Sequence, residues 1–444
     1  MPPETNENDF IATGQANKAA INAAGQQAEK IVNVGTNVGD INIQAATFIS
    51  NVTGEKKPVS MMLTRKLIEA IALENYSPRA TNFLSKIKEA EKVDWESRGD
   101  NKYLSTAKGV IVSSYGSVLS SYISNIFGCE NTSDYFNLSI AIVKRTLQLI
   151  CFSFISSLWD QLENNKIQLT EGKPGSLTNF FNSQTELDIS EYAQLFVALV
   201  ALFQQHQVEY PFSEIKNKEN EFREGGSFME ACKKMNDYAV RTNNNLPSIG
   251  EIENGLTNFL VSLNFLAAYK MISVKGIEYD VVRNNKSSQY LHSYTLLGIN
   301  NEKTGSKYNY DEKPLNTDAI LLYKNKYQDG INLFPFIIDY NALIDEQQLN
   351  ICFFVGYEEN PDEQDDNKTN KMVRYFDTNK ISCGNDDKDI IIQFNEEIEN
   401  AVKVKPNNDV VTRYKTEDNG NKFKALKKNE AFKAFERAKT IITD

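Results

Sequence analysis

The hydrophobic positions of this chain repeat with two different periods, and the change between them divides the sequence. Between residues 58 and 272, apolar residues recur every three or four positions, which predicts amphipathic or buried helices. From Ser273 onward, apolar and polar residues alternate, as they do in a half-exposed sheet. The pattern predicts an α+β multidomain fold, in which an all-helical domain precedes a mostly antiparallel β-rich domain. An extended N-terminal arm precedes both.

The two periods also predict where the elements lie. Polar stretches at 300–310 and 358–366 are expected to be solvated loops, and Pro335 indicates an edge strand or a bulge. Helices are predicted over 61–74, 80–93, 104–126, 138–162, 190–207 and 249–271, and strands over 277–281, 290–297, 319–323, 331–340, 349–357, 372–376 and 390–394. The predicted units are an arm with short strands (1–57), a helical domain (58–272), a β-rich domain (273–415) and a basic C-terminal helix (416–444).

Residues 14–50 differ in composition from the rest of the chain. They consist mainly of Ala, Gly, Asn, Gln, Val and Ile, with few charges and no aromatic residue before Phe48. Apolar and polar positions alternate over 32–38, with the apolar residues at even-numbered positions. After Gly39-Asp40 the apolar residues Ile41 and Ile43 fall at odd-numbered positions, which predicts two short strands joined by a turn. This segment is predicted to associate with copies of itself or with another protein. The predicted interaction residues are Val32, Asn33, Val34, Gly35, Asn37, Val38, Ile41 and Ile43.

The segment 31–43 resembles RHIM-type amyloid signalling motifs, in which an apolar-Gln-apolar-Gly unit is followed by an Asn and another apolar residue. Here Asn33 stands where Gln is usual, and Asn37 follows Gly35 one residue early. The resemblance implies a bacterial or phage-defence signalling role through stacked strands, and Asn ladders between small apolar side chains favour such stacking. The same segment could instead add a strand to a partner's sheet or pack on its own domain. The rest of the chain resembles no family.

Charge and composition restrict the partners. The formal net charge is -11 and the pI is about 5.1, so a protein that neutralises phosphates is disfavoured. The lysines after Gly420 predict a basic helix, but Glu430, Glu436 and Asp444 dilute its charge, so a solvated face is favoured over nucleic-acid binding.

Cysteine usage and apolar stretches bear on the compartment. Five cysteines without CxxC spacing indicate reduced thiols, and the acidic N-terminus is unlike a signal peptide. The apolar stretch 138–159 contains Lys144 and Arg145, which indicates a buried core helix rather than a membrane span. We expect a soluble protein of the cytoplasm, or of a particle assembled there, without a membrane partner.

Candidate catalytic residues are few. A zinc hydrolase, a His-dependent phosphatase or a Ser-His-Asp triad would need His206, expected at a helix end, or His292, expected on a strand in a structural or surface role. Ser85 to Lys88 matches SxxK, and Lys303 to Gly305 matches the KTG of serine β-lactamases and penicillin-binding proteins. The sequence predicts Ser85 within a helix and the KTG in a loop, so both matches are attributed to chance. The sequence has no GxxxxGK[ST] or GxGxxG.

The remaining chemical candidate is a pair of carboxylates. Glu278 and Asp280 share one predicted strand face and could hold a metal or act in acid/base catalysis, although such pairs are more often the wet face of a sheet. We therefore expect a non-enzymatic interaction or assembly protein without a cofactor or metal, such as a signalling or defence adaptor in a prokaryotic or phage setting. The alternatives are a structural subunit of a phage particle or injection machine, and a carboxylate-dependent enzyme in the β-rich domain.

Overall fold

The computed structural model describes the folded body of the protein from residue 60 onward. The predicted N-terminal arm, with its eight interaction residues, lies outside the described residues. These are 60–89, 101–129, 131–164, 167–169, 173–240, 247–280, 289–297, 303–311, 319–326, 329–343, 349–362, 365–378, 389–395, 399–400 and 421–443.

Helices precede antiparallel sheets along the chain, as the periodicity predicts. Two short 3₁₀ helices, Ser213–Asn217 and Asn264–Ala268, lie among the α-helices. The α-helices are α1 (Met61–Leu73), α2 (Pro78–Glu89), α3 (Asn101–Ser114), α4 (Ser117–Phe127), α5 (Thr132–Glu163), α6 (Gly175–Asn182), α7 (Ile189–His206), α8 (Ser227–Ala239), α9 (Ile249–Ser262), α10 (Tyr340–Leu343) and α11 (Asn421–Thr443).

Two of the predicted helices have different bounds in the structure. The helix predicted over 104–126 is two helices, because the backbone of Gly116 is extended and serves as the N-cap of α4. The helix predicted over 249–271 ends at Ser262, and a strand begins at Lys270. That strand's residues pair with a strand about fifty positions later in the chain, a long-range partner that helical periodicity cannot reveal.

Besides the four-residue α10, two α-helices of the described chain lie where no helix was predicted. The segment after Pro211 holds α8, whose buried Phe228, Cys232 and Met235 are spaced by three or four residues between charged positions. The other, α6, begins directly after Pro174. Asp188 precedes the helix predicted over 190–207, and an Asp at that place predicts an N-cap. The structure confirms this cap: the Asp188 side chain accepts from the Glu191 backbone N–H at 2.7 Å, and the Glu191 side chain accepts from the Asp188 N–H.

The strands form two antiparallel sheets. The first has the order β3-β2-β1-β4-β5 and the second the order β6-β7-β8-β9. Within the described residues, an isolated β-bridge between Ala319 and Ile338 links them. The strands are β1 (Lys270–Asp280), β2 (Gln289–Leu297), β3 (Lys303–Asp311), β4 (Ile320–Tyr323), β5 (Ile331–Asn332), β6 (Ile337–Asp339), β7 (Ile351–Asp362), β8 (Asp365–Asp377) and β9 (Ile390–Gln393).

Three polar or mixed segments were predicted wrongly. The expected loop 300–310 contains β3, which pairs with β2 along its length. The expected loop 358–366 contributes to the β7–β8 hairpin, where Glu358 pairs with Met372. Both segments are rich in polar residues, and their backbones pair with neighbouring strands. The strand predicted over 331–340 is interrupted, because β5 and β6 flank a turn that contains Pro335, whose preceding peptide bond is cis.

Helix α5 is the centre of the body and is buried on several sides. Neighbours two positions apart on a helix point in nearly opposite directions. Phe152 therefore meets the second sheet, with ring centroids 5.8 Å from Phe336 and 6.2 Å from Phe353. Phe154 meets the helical layer, 5.4 Å from Phe196 and 5.0 Å from Phe203.

The apolar core continues across the sequence position where the period changes. It runs from Leu63 in α1 to Ile442 in α11 and includes residues of both sheets. Among the described residues, α5 is the one helix that is long and apolar enough to cross a membrane, but 83% of its most apolar window is buried inside the protein. Burial of that degree is what a core helix shows.

A buried ion pair sits beside this aromatic packing. Arg145 of α5 bonds to Glu186, which also pairs with Lys144, and the Arg145 guanidinium lies 3.9 Å from the centre of the Phe376 ring in β8. Gln148 donates to Tyr192 Oη at 2.9 Å and to the Phe354 carbonyl at 3.3 Å. Burial alone would raise the pKa of Glu186, but Arg145 and Lys144 outweigh it and lower that pKa. The network therefore joins α5, α7 and the second sheet.

Removing the Glu186 charge should destabilise the fold. Glu186→Gln leaves Arg145 buried without its counter-charge, and we expect the free energy of unfolding to fall by about 3 kcal/mol. Urea denaturation at pH 7 measures this change. The matched control is Glu230→Gln, at an exposed carboxylate of α8, for which we expect a change within about 0.5 kcal/mol. Equal effects for the two variants would contradict a structural role for the ion pair.

A second buried charge predicts how stability depends on pH. Burial lowers the pKa of Lys108 to about 8, although the nearby Glu253 carboxylate raises it. Between pH 8 and 10.5 the unfolded chain then binds more protons than the folded one, so stability rises with pH in that window. Over this pH range, the free energy of unfolding of the wild-type protein should rise by about 2 kcal/mol relative to that of the Lys108→Met variant.

Urea denaturation at pH 7.5 and pH 10.5 measures the difference between the wild-type protein and the Lys108→Met variant. Lys86→Met, at an exposed lysine of α2, corrects for the loss of one positive charge. A difference that stays constant or falls with pH would show that Lys108 is not held in a desolvated position.

Candidate functional site

The described surface contains a cleft where α5, α11 and the chain near β5 meet. Its volume is about 390 Å³, within the range of small-molecule sites. We call it the α5–α11 cleft. It is lined by Ser156, Trp159, Asp160 and Glu163 of α5, by Lys433, Ala434 and Arg437 of α11, and by Asn332 and Phe334.

The local sequence explains why these residues share one surface. The four α5 residues are spaced by three, one and three positions, which places them on one face of the helix. On α11, Lys433 and Arg437 are one turn apart. Phe435 of α11 anchors that helix, because its ring stacks on Phe354 at 4.8 Å between centroids. The cleft is therefore formed by two helices that the core holds in place.

The floor of the cleft contains polar atoms without partners. Ser156 is 2% exposed, and its Oγ makes no hydrogen bond within the described part of the chain. The same holds for the indole Nε1 of Trp159, one turn further along α5. Buried polar groups are nearly always hydrogen-bonded, and two of the described atoms that depart from this rule lie beside this cleft.

The mouth of the cleft carries paired charges. Arg437 Nε lies 2.8 Å from Glu163 Oε1, and their side chains are 67% and 31% exposed. Lys433, which is 48% exposed, pairs with Glu399. With Asp160 the lining holds two acidic and two basic side chains, so its formal charge is balanced. The partly exposed Arg437–Glu163 pair is weak and can exchange partners, whereas Glu399 is only 11% exposed.

Sequence reasoning did not identify this cleft. It assigned Trp159 to the apolar stretch 138–159 of a buried core helix and the lysines of α11 to a solvated face. In the structure, α11 also buries Phe432, Phe435 and Ile442, and three of its charged residues pair with opposite charges on other elements. The polar stripe 156, 160 and 163 on an otherwise apolar helix was the available signal, but its partner helix lies almost 300 positions away.

Of the two carboxylates that the sequence predicts as candidates, the structure describes the side chain of Glu278 and only the backbone of Asp280. Glu278 lies exposed on β1, opposite Leu291 of β2. The backbone of Asp280 pairs with Gln289 at the end of the same strand, and its side chain lies outside the described residues. Among the described residues, no group of three or more His, Cys, Asp or Glu side chains could hold a metal ion. The carboxylate enzyme stays a prediction.

The histidines and the short motifs lie in different parts of the body. His292 is fully buried on β2, and His206 is the last residue of α7. Both therefore lie in the kind of element that the sequence predicted, a strand and a helix end. Ser85 lies within α2 and donates to the Asn82 carbonyl at 2.9 Å. The KTG at 303–305 is on β3 rather than in a loop, at the strand that forms one edge of the first sheet.

The unsatisfied hydroxyl predicts that Ser156→Ala stabilises the protein. Removing a buried polar group that has no partner should raise the free energy of unfolding by about 1 kcal/mol. Ser153→Ala is the matched control one turn earlier in α5, because the Ser153 hydroxyl donates to the Leu149 carbonyl at 2.7 Å. Urea denaturation should show a gain for Ser156→Ala and none for Ser153→Ala. A loss for Ser156→Ala would mean that its hydroxyl is satisfied.

Comparison with known proteins identifies no relative of this chain. No family model, curated protein or solved structure matches the chain.

Proposed function

We propose that this chain is a non-enzymatic interaction protein, in which residues 14–50 associate with copies of themselves or with a partner. The folded body from residue 60 onward acts as the scaffold for that segment. A signalling or defence adaptor in a prokaryotic or phage setting is the form we favour. A structural subunit of a larger particle or injection machine is the alternative.

The start of the folded body carries the proposal. The first N–H groups of a helix normally need acceptors from the residues that precede it. In α1, Ser60 provides no side-chain cap, and the Leu63 N–H instead donates to Glu253 Oε1 of α9 at 2.9 Å. The body therefore supplies a cap at its own N-terminal boundary. Glu253 of α9 thus satisfies one of the first N–H groups of α1 from within the folded body.

The composition of 14–50 supports association through strands. Small apolar side chains alternate with Asn and Gly over 32–38, and side chains of this kind interdigitate between stacked strands with little loss of side-chain entropy. A segment of this kind can add its strands to identical strands or to the edge of a partner's sheet. A swapped or stacked arm enlarges the contact area of an assembly without enlarging the folded core.

The experiment measures molar mass in solution by size-exclusion chromatography with light scattering. We expect the full chain to form oligomers, and we expect the chain that begins at Lys56 to be monomeric with an unchanged circular dichroism spectrum. Val34→Asp with Val38→Asp in the full chain should also give monomers, because charges cannot be buried between stacked strands. The control is the double variant Asn6→Lys with Asn8→Lys, which adds two positive charges outside residues 14–50. It changes the net charge by the same amount as the two aspartates, with the opposite sign.

The outcomes distinguish the alternatives. Open-ended polymers that the two aspartates abolish would favour a signalling adaptor, and a closed oligomer of fixed number would favour a structural subunit. If the full chain is monomeric at all concentrations tested, self-association is wrong. Capture of a partner that binds residues 14–50 would then be required. If that also fails, the arm has no interaction role and the enzyme alternative gains weight.

A further inference from the structure

We infer that the α5–α11 cleft binds a free amino acid, or a similar small zwitterion, with an apolar side chain. The residues that line this cleft do not belong to 14–50, so the inference does not depend on the proposed function. It rests on the balance of charges at the mouth of the cleft and on the apolar and unsatisfied groups at its floor.

The charges at the mouth match both ends of a zwitterion. Arg437 and Lys433 present donors that suit a carboxylate, and Asp160 and Glu163 present acceptors that suit an ammonium group. A ligand with only one charge would leave one side of the mouth unmatched. Because the Arg437–Glu163 pair is partly exposed, exchanging it for pairs with a ligand costs little, whereas Lys433 keeps its pair with the mostly buried Glu399.

The floor of the cleft suits an apolar side chain beside a polar head. Trp159, Phe334 and Ala434 offer aromatic and aliphatic surface, and aromatic rings bind apolar groups with defined geometry. Ser156 and the Trp159 indole keep polar atoms unsatisfied beside that surface. Proteins tolerate such costs chiefly at functional sites. A volume of about 390 Å³ is sufficient for one amino acid and excludes a folded partner.

Binding can be followed through Trp159 itself. The chain has two tryptophans, Trp95 and Trp159, so Trp95→Phe leaves Trp159 as the only one. L-phenylalanine should change its fluorescence saturably, with Kd at or below about 1 mM. Phenylacetate and phenethylamine, which each lack one charge, should bind at least about tenfold more weakly. Calorimetric titration of the wild-type chain provides a readout that does not depend on the substitution.

Variants of the full chain test the site. Arg437→Gln should raise Kd at least about tenfold, because it removes a donor to the carboxylate. Arg65→Gln is the matched control, since Arg65 is also an exposed helical arginine paired with a glutamate, 58% exposed and 3.3 Å from Glu69. Val34→Asp with Val38→Asp should leave Kd unchanged, which separates this inference from the proposed function.

Three results would overturn the inference. The first is the absence of a saturable signal for phenylalanine, leucine and their dipeptides up to about 10 mM. The second is equal affinity for N-acetyl-phenylalanine amide, which carries neither charge and would show that the charged mouth is not used. The third is an unchanged Kd in Arg437→Gln, which would place any binding elsewhere on the chain.

Discussion

The packing of α5 through the body is the constraint on which the other elements depend. Phe152 and Phe154 point to opposite sides of this helix, one into the second sheet and one into the helical layer. Aromatic side chains bury a large apolar area each, so one helix can hold two layers together. The positions of α6, α7 and β7 follow from these contacts, because Phe180, Tyr192 and Phe354 all meet the Phe152 ring.

Buried charges then select one arrangement of these layers. Asp339 is fully buried, pairs with Lys275 of the first sheet and accepts from Ser273 Oγ at 2.9 Å and from the Asn350 N–H at 3.0 Å. Arg145 of α5 forms a second such pair with Glu186, which precedes α7, and its guanidinium lies over the Phe376 ring of the second sheet. Burying ions costs desolvation energy, so such pairs add little net stability when intact. They strongly disfavour any packing that would separate the partners.

The α5–α11 cleft lies at the far end of the same helix. The half of α5 around Phe152 is enclosed by aromatic rings, whereas its last turns present a polar stripe that α11 only partly covers. A helix that is buried along most of its length holds its exposed end rigidly. Rigid elements hold binding groups more accurately than loops do. The unsatisfied Ser156 hydroxyl is the cost of a polar stripe at the boundary of an apolar core.

The sequence by itself determined the order of helices and strands, the antiparallel character of the sheets and the cap at Asp188, because these depend on local periodicity and nearby side chains. It did not reveal β3 or the β7–β8 extension, whose polar residues are held by backbone pairing with other strands. Nor did it reveal that Lys433 and Arg437 meet the polar stripe of α5. Only the tertiary structure decided these features, since the energies that stabilise them come from residues far apart in the chain.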